Sequence, residues 1–378
     1  MNIAILGLGT VGSGVYEGAQ QLDSVEVRRI LDRHLRTPAS TCRIEDILND
    51  PEIELIAETM GGLHPAYEYA CAALTSGRHF VTANKQLVSA YGAELAALAR
   101  QSGAAFLYGA ACGGGIPYLY NLEMARKSDR VTALGGILNG TTNYILDAMT
   151  SRGADYAAVL SEAQALGYAE RDPSSDVEGL DTMRKLVLAC AVGFGAFVRE
   201  EEIPVFGISR VLPADIARAA RCGRTLKLCA QAENSEDGLS ACVEPVLVAL
   251  SAPEAAIHRN LNYAWYLGES CGPMSFSGQG AGKLPTASNV LRDIISVDSG
   301  RRYMTDESCR PMSIRSDATH RYCLRVPSGT PVPQGWIDSR ETDGEFDFIE
   351  TVPVPVMAMH EFAAQNPRAF FAGIEKGL

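Results

Sequence analysis

The sequence has no apolar run approaching the roughly 18 residues of a membrane span, no internal repeat and no low-complexity tract. Basic residues are in deficit: 33 Lys plus Arg against 45 Asp plus Glu leave a net charge of -12. That balance argues against a protein that tracks nucleic-acid phosphates with a basic surface. The ten cysteines are scattered, with no C-x-x-C pair and no Cys/His spacing of the kind zinc sites use, so they read as reduced thiols in packed positions. A basic lead and a cleavage site, the marks of a secretory signal, are also missing. The chain starts on Asn2-Ile3-Ala4-Ile5-Leu6, which reads as a buried strand, and the expectation is a soluble cytoplasmic protein. What is present is 47% hydrophobic residues over 378 positions, enough for two packed domains with a small-molecule cleft between them.

From Met1 to about Lys127 short apolar runs alternate with helical spacings. Asn2 to Leu6, Val25 to Leu31, Ile53 to Met60, His79 to Thr82 and Ala105 to Tyr108 read as strands. The alternation predicts a doubly wound α/β domain over 1–129, with the helical stretch inside 283–315 returning to it. A second, α+β domain is expected over 130–282, with helices from about Thr141, Asp155 and Leu180. Strands are expected at Thr225 to Glu233, Cys242 to Leu250, Tyr263 to Leu267 and Pro273 to Phe276. Residues 316–378 are punctuated by Pro327, Pro331, Pro333, Pro353 and Pro355 and show weak apolar periodicity, so they read as a short, degenerate C-terminal extension.

Gly7-Leu8-Gly9-Thr10-Val11-Gly12 is a G-x-G-x-x-G motif between a strand and a helix. There its glycines permit a tight turn and close backbone approach to a pyrophosphate at the helix N-terminus. Asp32 follows about 20 residues after Gly12, where an acid meets the adenosine ribose hydroxyls. Asp32 favours NAD, whereas Arg33 and Arg36 offer partners to the 2′-phosphate of NADP.

Three further constellations bear chemistry. Thr82-Ala83-Asn84-Lys85 follows a strand and so lies at the carboxyl edge of the first sheet, the ligand edge of such folds. The stretch from Gly167 to Lys185 opens as a loop holding Glu170, Asp172, Asp176 and Glu178, then starts a helix on which Asp181 and Lys185 share a face. Carboxylates and an ammonium suit a zwitterionic substrate with an oxygen that gains negative charge. Taken alone, Asp181 and Lys185 also fit an ordinary salt bridge on a solvated helix face. Gly135 to Tyr144 runs a strand into a polar helix start whose amides suit a carboxylate, or which Asn139 or Thr141 simply caps.

Together these residues resemble the homoserine dehydrogenase family. The matching segments, in order, are Gly7 to Gly12, Thr82 to Lys85, Gly114-Gly115-Ile116-Pro117, Gly136 to Tyr144, Gly167 to Lys185, Gly280-Ala281-Gly282 and Pro285-Thr286-Ala287. The resemblance implies a Rossmann-type domain, a second substrate and dimerisation domain, and reduction of aspartate semialdehyde to homoserine with NAD or NADP. It implies Lys185 as general acid, Lys85 as a second lysine near the reacting centre, and Asp181 orienting Lys185 or the substrate. Glu170, with Asp176, would bind the substrate ammonium group, and Gly140 and Thr141 would hold the substrate. Gly7, Gly9, Thr10, Val11, Gly12, Asp32, Arg33, Thr59, Lys85 and Gly282 would contact the cofactor.

Two departures stand out. The family commonly has a glutamate, part of a monovalent cation site, where this chain has Gly109, which puts cation binding in doubt. Many relatives end in a threonine-sensing ACT domain; His320 to Val326 looks like its first strand, but the stretch beyond is short and lacks a clear following helix. Two other readings stay open on the residues: a related dehydrogenase of another small amino or oxo acid, and a cofactor-binding sensor without turnover. A homodimer is the expected assembly, with neither nucleic acid nor membrane as partner.

Overall fold

The computed structural model describes residues 1–374. It divides into two compact units, one of Met1–Val131, Val187–Glu200 and Gly278–Met312, the other of Thr132–Leu186, Glu201–Ser277 and Ser313–Leu378.

In the first unit the strands are β1 (Asn2–Leu6), β2 (Glu26–Leu31), β3 (Ser40–Thr41), β4 (Leu55–Glu58), β5 (His79–Thr82) and β6 (Phe106–Leu107). Among the described residues they form a parallel sheet in the order β3-β2-β1-β4-β5-β6, the doubly wound arrangement. Ile3 to Leu6 and Leu55 to Ala57 are completely buried, as strands covered on both faces require. The two-residue β3 is too short to leave a periodic signal, and the sequence reading lacks it. Helix α1 (Thr10–Ala19) begins directly on the glycine turn after β1. Helix α2 (Lys85–Ser102) is capped by Asn84, whose side chain accepts from Leu87 N at 3.2 Å, and is stopped by Gly103 at φ +73.

The second unit starts on β7 (Val131–Ile137), which runs into helix α3 (Gly140–Arg152). Helix α4 (Leu180–Phe194) follows the acid-rich loop, and its residues up to Leu186 belong to this unit. Strands β8 (Arg224–Ser235) and β9 (Gly238–Ala249) form a long antiparallel hairpin, and β10 (Leu261–Gly268) and β11 (Gly272–Gln279) a second pair. Helix α5 (Lys283–Asp298) belongs to the first unit.

The C-terminal stretch is more ordered than its sequence suggests. It holds β12 (Tyr322–Pro327), β13 (Ile337–Asp343), β14 (Phe346–Thr351), helix α6 (Val356–Gln365) and β15 (Phe370–Ile374). Among the described residues these strands complete a nine-stranded sheet of order β11-β10-β7-β8-β9-β15-β12-β14-β13. The C-terminal part is a β-α-β-β-α-β pattern whose first helix is replaced by the short turn Gln334–Trp336. Its prolines mark element ends rather than interrupting elements: Pro327 closes β12 and Pro355 immediately precedes α6. A core of Tyr322, Leu324, Val326, Ile349, Met359 and Phe371 holds it together. No helix among the described residues is long and apolar enough to cross a membrane.

Candidate active site

At the glycine turn, a Cβ on Gly12 would overlap Gly7 O and stand 2.7 Å from Thr59 Oγ1, so only glycine lets α1 start so close to β1. A Cβ on Gly9 would meet nothing within 4 Å, and no side chain caps α1. Open space beside uncapped helix amides fits the pyrophosphate of a dinucleotide. Thr59 Oγ1 donates to Leu6 O at 3.0 Å and Gly7 O at 2.9 Å, fixing the turn. Asp32 shapes the same loop: Oδ2 accepts from Leu8 N–H and Oδ1 from His34 N–H, both at 2.8 Å. Burial pushes the Asp32 carboxyl up, but those two hydrogen bonds and the Arg36 charge outweigh it and hold it below the usual range. Arg36 Nη1 donates to Leu8 O at 3.0 Å and is thereby tied to the turn, while Arg33 is exposed.

Lys85 is the first residue of α2, directly after the cap. The loop before it is organised by Glu58, a fully buried acid at the end of β4. Glu58 accepts from Thr82 Oγ1 at 2.5 Å, Met60 N at 2.6 Å and Gly61 N at 3.1 Å, joining the ends of β4 and β5. Burial raises its carboxyl pKa, and these donors only partly offset that. Gly282 is the N-cap of α5 at φ +122, and a Cβ on Gly14 of α1 would stand 2.9 Å from Ala287 Cβ of α5, so the two helices pack through glycine.

In the second unit Lys185 Nζ donates to Asp181 Oδ2 at 2.7 Å and to Leu138 O at 2.6 Å. Their side chains are only 9% and 7% exposed, so the pair is buried and the solvated-face reading is incorrect. The face of α4 that carries them packs against the β7–α3 junction. There Asn139 does two jobs. Its Oδ1 caps α3 by accepting Thr142 N–H at 2.9 Å, and its Nδ2 donates to Asp176 Oδ1 at 2.7 Å and Asp181 Oδ2 at 2.9 Å. Asn262 Nδ2 donates to Leu138 O at 2.8 Å, so the carbonyl that receives the lysine is itself fixed. Thr141 Oγ1 donates to Tyr168 O at 2.6 Å, tying the start of α3 to the acid-rich loop. Gly140 sits so near Asn260 that a Cβ would be 2.6 Å from its carbonyl oxygen.

Two family models match: the homoserine dehydrogenase NAD-binding domain over residues 7–109 and the homoserine dehydrogenase domain over 117–295. A homoserine dehydrogenase of Synechocystis is 41% identical over 86% of this chain and 80% of its own length, and one of Bacillus subtilis 38% identical over 80% and 74%. The chain belongs to the homoserine dehydrogenase family. The crystal structure of a homoserine dehydrogenase from Thiobacillus denitrificans superposes with a TM-score of 0.90 at 29% identity, covering 99% of this chain and 98% of that one. As a homoserine dehydrogenase, the chain is an NAD(P)-dependent oxidoreductase interconverting aspartate semialdehyde and homoserine.

Within this family member the structure joins Asp176, Asp181 and Lys185 in one hydrogen-bonded cluster through Asn139, with Gly140 and Thr141 following Asn139 in the chain. Glu170 is exposed on the loop, whose backbone is held by Gln164 Nε2 donating to Glu170 O at 3.0 Å. Gly7, Gly9, Thr10, Val11, Gly12, Asp32 and Thr59 surround the turn. Two residues that organise this machinery, Glu58 and Asn262, are missed by sequence reasoning, as is the Nδ2 role of Asn139. The one available signal for Glu58 is a lone acid at the end of an otherwise apolar strand. Gly109 faces Asp293, whose Oδ2 accepts Gly109 N–H at 2.7 Å, and a Cβ at 109 would be 2.9 Å from Asp293 Oδ1. The space into which a side chain at 109 would extend is therefore taken by Asp293.

Proposed function

We propose that Lys185 is the proton donor of this homoserine dehydrogenase, with Asp181 holding its ammonium in place. The observation that carries this is the buried Lys185, pinned between Asp181 and Leu138 O at 2.7 and 2.6 Å and thus pre-positioned. The bound nicotinamide supplies the hydride when the aldehyde is reduced. Lys185 then gives its proton to the substrate oxygen as negative charge develops there, and Lys85 adds a second positive charge near the reacting centre. Glu170 and Asp176 bind the substrate ammonium group, and Gly140 and Thr141 hold the substrate at the start of α3. Asn139 orients both Asp176 and Asp181 and is a positioning residue.

Gly7, Gly9, Thr10, Val11 and Gly12 hold the pyrophosphate, with Asp32, Arg33, Thr59, Lys85 and Gly282 as further cofactor contacts. NADP is the preferred cofactor, because Arg33 is exposed beside Asp32 while both Asp32 oxygens already accept backbone N–H groups. No monovalent cation is assigned, since Gly109 has no side-chain carboxylate. The enzyme acts as a homodimer formed through the second unit. All ten cysteines stand as free thiols, the state a reducing cytoplasm maintains, which supports that location.

The test is NADPH and NADH oxidation with L-aspartate 4-semialdehyde. Turnover, faster with NADPH, is the expected result. Cofactor binding without turnover would leave a sensor and reject the assigned chemistry.

A further inference from the structure

The second unit contains a cavity of about 170 Å³ lined by none of the residues assigned above. Its wall is largely apolar, with Cys229, Cys242, Glu244, Glu254, His320 and Arg315 set into it. Cys242 and Glu244 are two positions apart on β9 and so share a face, and Cys229 on β8 is directly opposite Glu244 in the ladder. His320, from the short strand Thr319–His320, stands with Nδ1 2.8 Å from Glu244 Oε1. One ligand atom each from Cys242, Glu244 and His320 lies within 4.8 Å of the other two. Glu244 is fully buried, and its Oε2 has His360 Nε2 of α6 at 3.1 Å and Tyr322 Oη at 3.4 Å. Gly373 makes room for it: a Cβ there would be 2.9 Å from Glu244 Oε1.

We propose that Cys242, Glu244 and His320 form a binding site for a zinc-class divalent cation whose fourth position opens on the cavity. A thiolate, an imidazole and a carboxylate are the donor set of a borderline transition ion, whereas calcium and magnesium take oxygen ligands. Bonds of roughly 2.0–2.3 Å around a tetrahedral ion set donors about 3.3–3.8 Å apart, so these three atoms need shift by only about 1 Å. His360 on the far carboxylate oxygen is placed to orient Glu244, as outer groups do around metal ligands. No sequence spacing announces the site, because His320 lies 76 residues beyond Glu244. The ion would join β9 to the segment leading into the C-terminal strands, so its effect is on the stability of this unit and not on hydride transfer.

The experiment adds cobalt(II) and, separately, zinc to the metal-stripped full chain in which the exposed Cys42, Cys222 and Cys271 are serine. The expected result is one bound cobalt per chain with a thiolate-to-cobalt charge-transfer band and the visible spectrum of a four-coordinate ion. Zinc should raise the melting temperature. Cys242→Ser should abolish the charge-transfer band, and His320→Gln should weaken cobalt affinity at least about tenfold, a loss of roughly 1.4 kcal/mol; both should remove the zinc-dependent rise. NADPH binding by each variant reports folding independently of the site. If Cys242→Ser fails to fold, His320→Gln and the sulfur and nitrogen scattering in the X-ray absorption spectrum of the cobalt-loaded chain decide. Absence of stoichiometric binding, a charge-transfer band surviving Cys242→Ser, or unchanged affinity in His320→Gln would each overturn the proposal.

Discussion

Replacing Lys185 by alanine deletes an ammonium that donates to Asp181 Oδ2 at 2.7 Å and to Leu138 O at 2.6 Å, between side chains 9% and 7% exposed. Two losses should follow, and they separate. Asp181 is left as a buried carboxylate without its cation, which costs about 3–5 kcal/mol, while Leu138 O keeps the Asn262 amide at 2.8 Å. In a unit of this size that lowers the melting temperature by roughly 6–20 °C. Loss of a positioned general acid should also cut kcat about 10² to 10⁴-fold. The paired variant Lys185→Met with Asp181→Leu removes both charges. Because a buried ion pair is often no more stable than apolar groups of similar volume, it should recover most of the melting temperature and none of the turnover. Thermal denaturation beside steady-state kinetics, with kcat counted per folded molecule and NADPH affinity measured in parallel, resolves the two effects. A Lys185→Ala enzyme turning over within about threefold of the parent, where a general acid demands a hundredfold or more, would refute the proton-donor assignment.

Glu170→Gln removes a charge from an exposed loop carboxylate assigned to the substrate ammonium, so KM for the semialdehyde should rise about tenfold with kcat little changed; an unaltered KM rejects that role. Arg33→Ala should weaken NADP(H) binding by about ten- to a hundredfold and leave NAD(H) nearly untouched, since only the former carries a 2′-phosphate; equal losses in fluorescence titrations with both cofactors would remove Arg33 from cofactor choice. Asp293 is buried, and that burial, only partly countered by the Gly109 and Ala110 N–H groups and Arg292, pushes its carboxyl up to about 7. The folded chain therefore keeps a proton that an unfolded aspartate gives up near ~3.9. The stability this contributes is complete below about pH 4 and is lost as pH rises through about 7, amounting to about 4 kcal/mol at most. Asp293→Asn should flatten the fall in urea midpoint across that window, and parallel midpoint profiles for parent and variant would show that the group does not titrate there.

What the amino-acid sequence by itself determined was everything carried by neighbours along the chain. The buried run Ile3–Leu6, the glycine turn after it, and the shared face of Asp181 and Lys185 all follow from propensity, turn chemistry and the 3.6-residue period. These depend on positions a few residues apart, so they survive without knowledge of the fold. Tertiary structure decided what becomes of those groups. The Asp181–Lys185 pair reads on the helix as a solvated bridge, yet Lys185 is buried because Leu138, 47 residues earlier, brings a carbonyl to it. Asn139 reads as a plain cap, yet its amide also grips carboxylates 37 and 42 residues away. The C-terminal stretch, whose prolines suggest a broken tail, becomes four strands and a helix because its short apolar segments find one another around Tyr322 and Phe371. Burial and charge compensation arise only where distant segments pack, and no local pattern encodes which carbonyl, carboxylate or imidazole will be facing a given side chain.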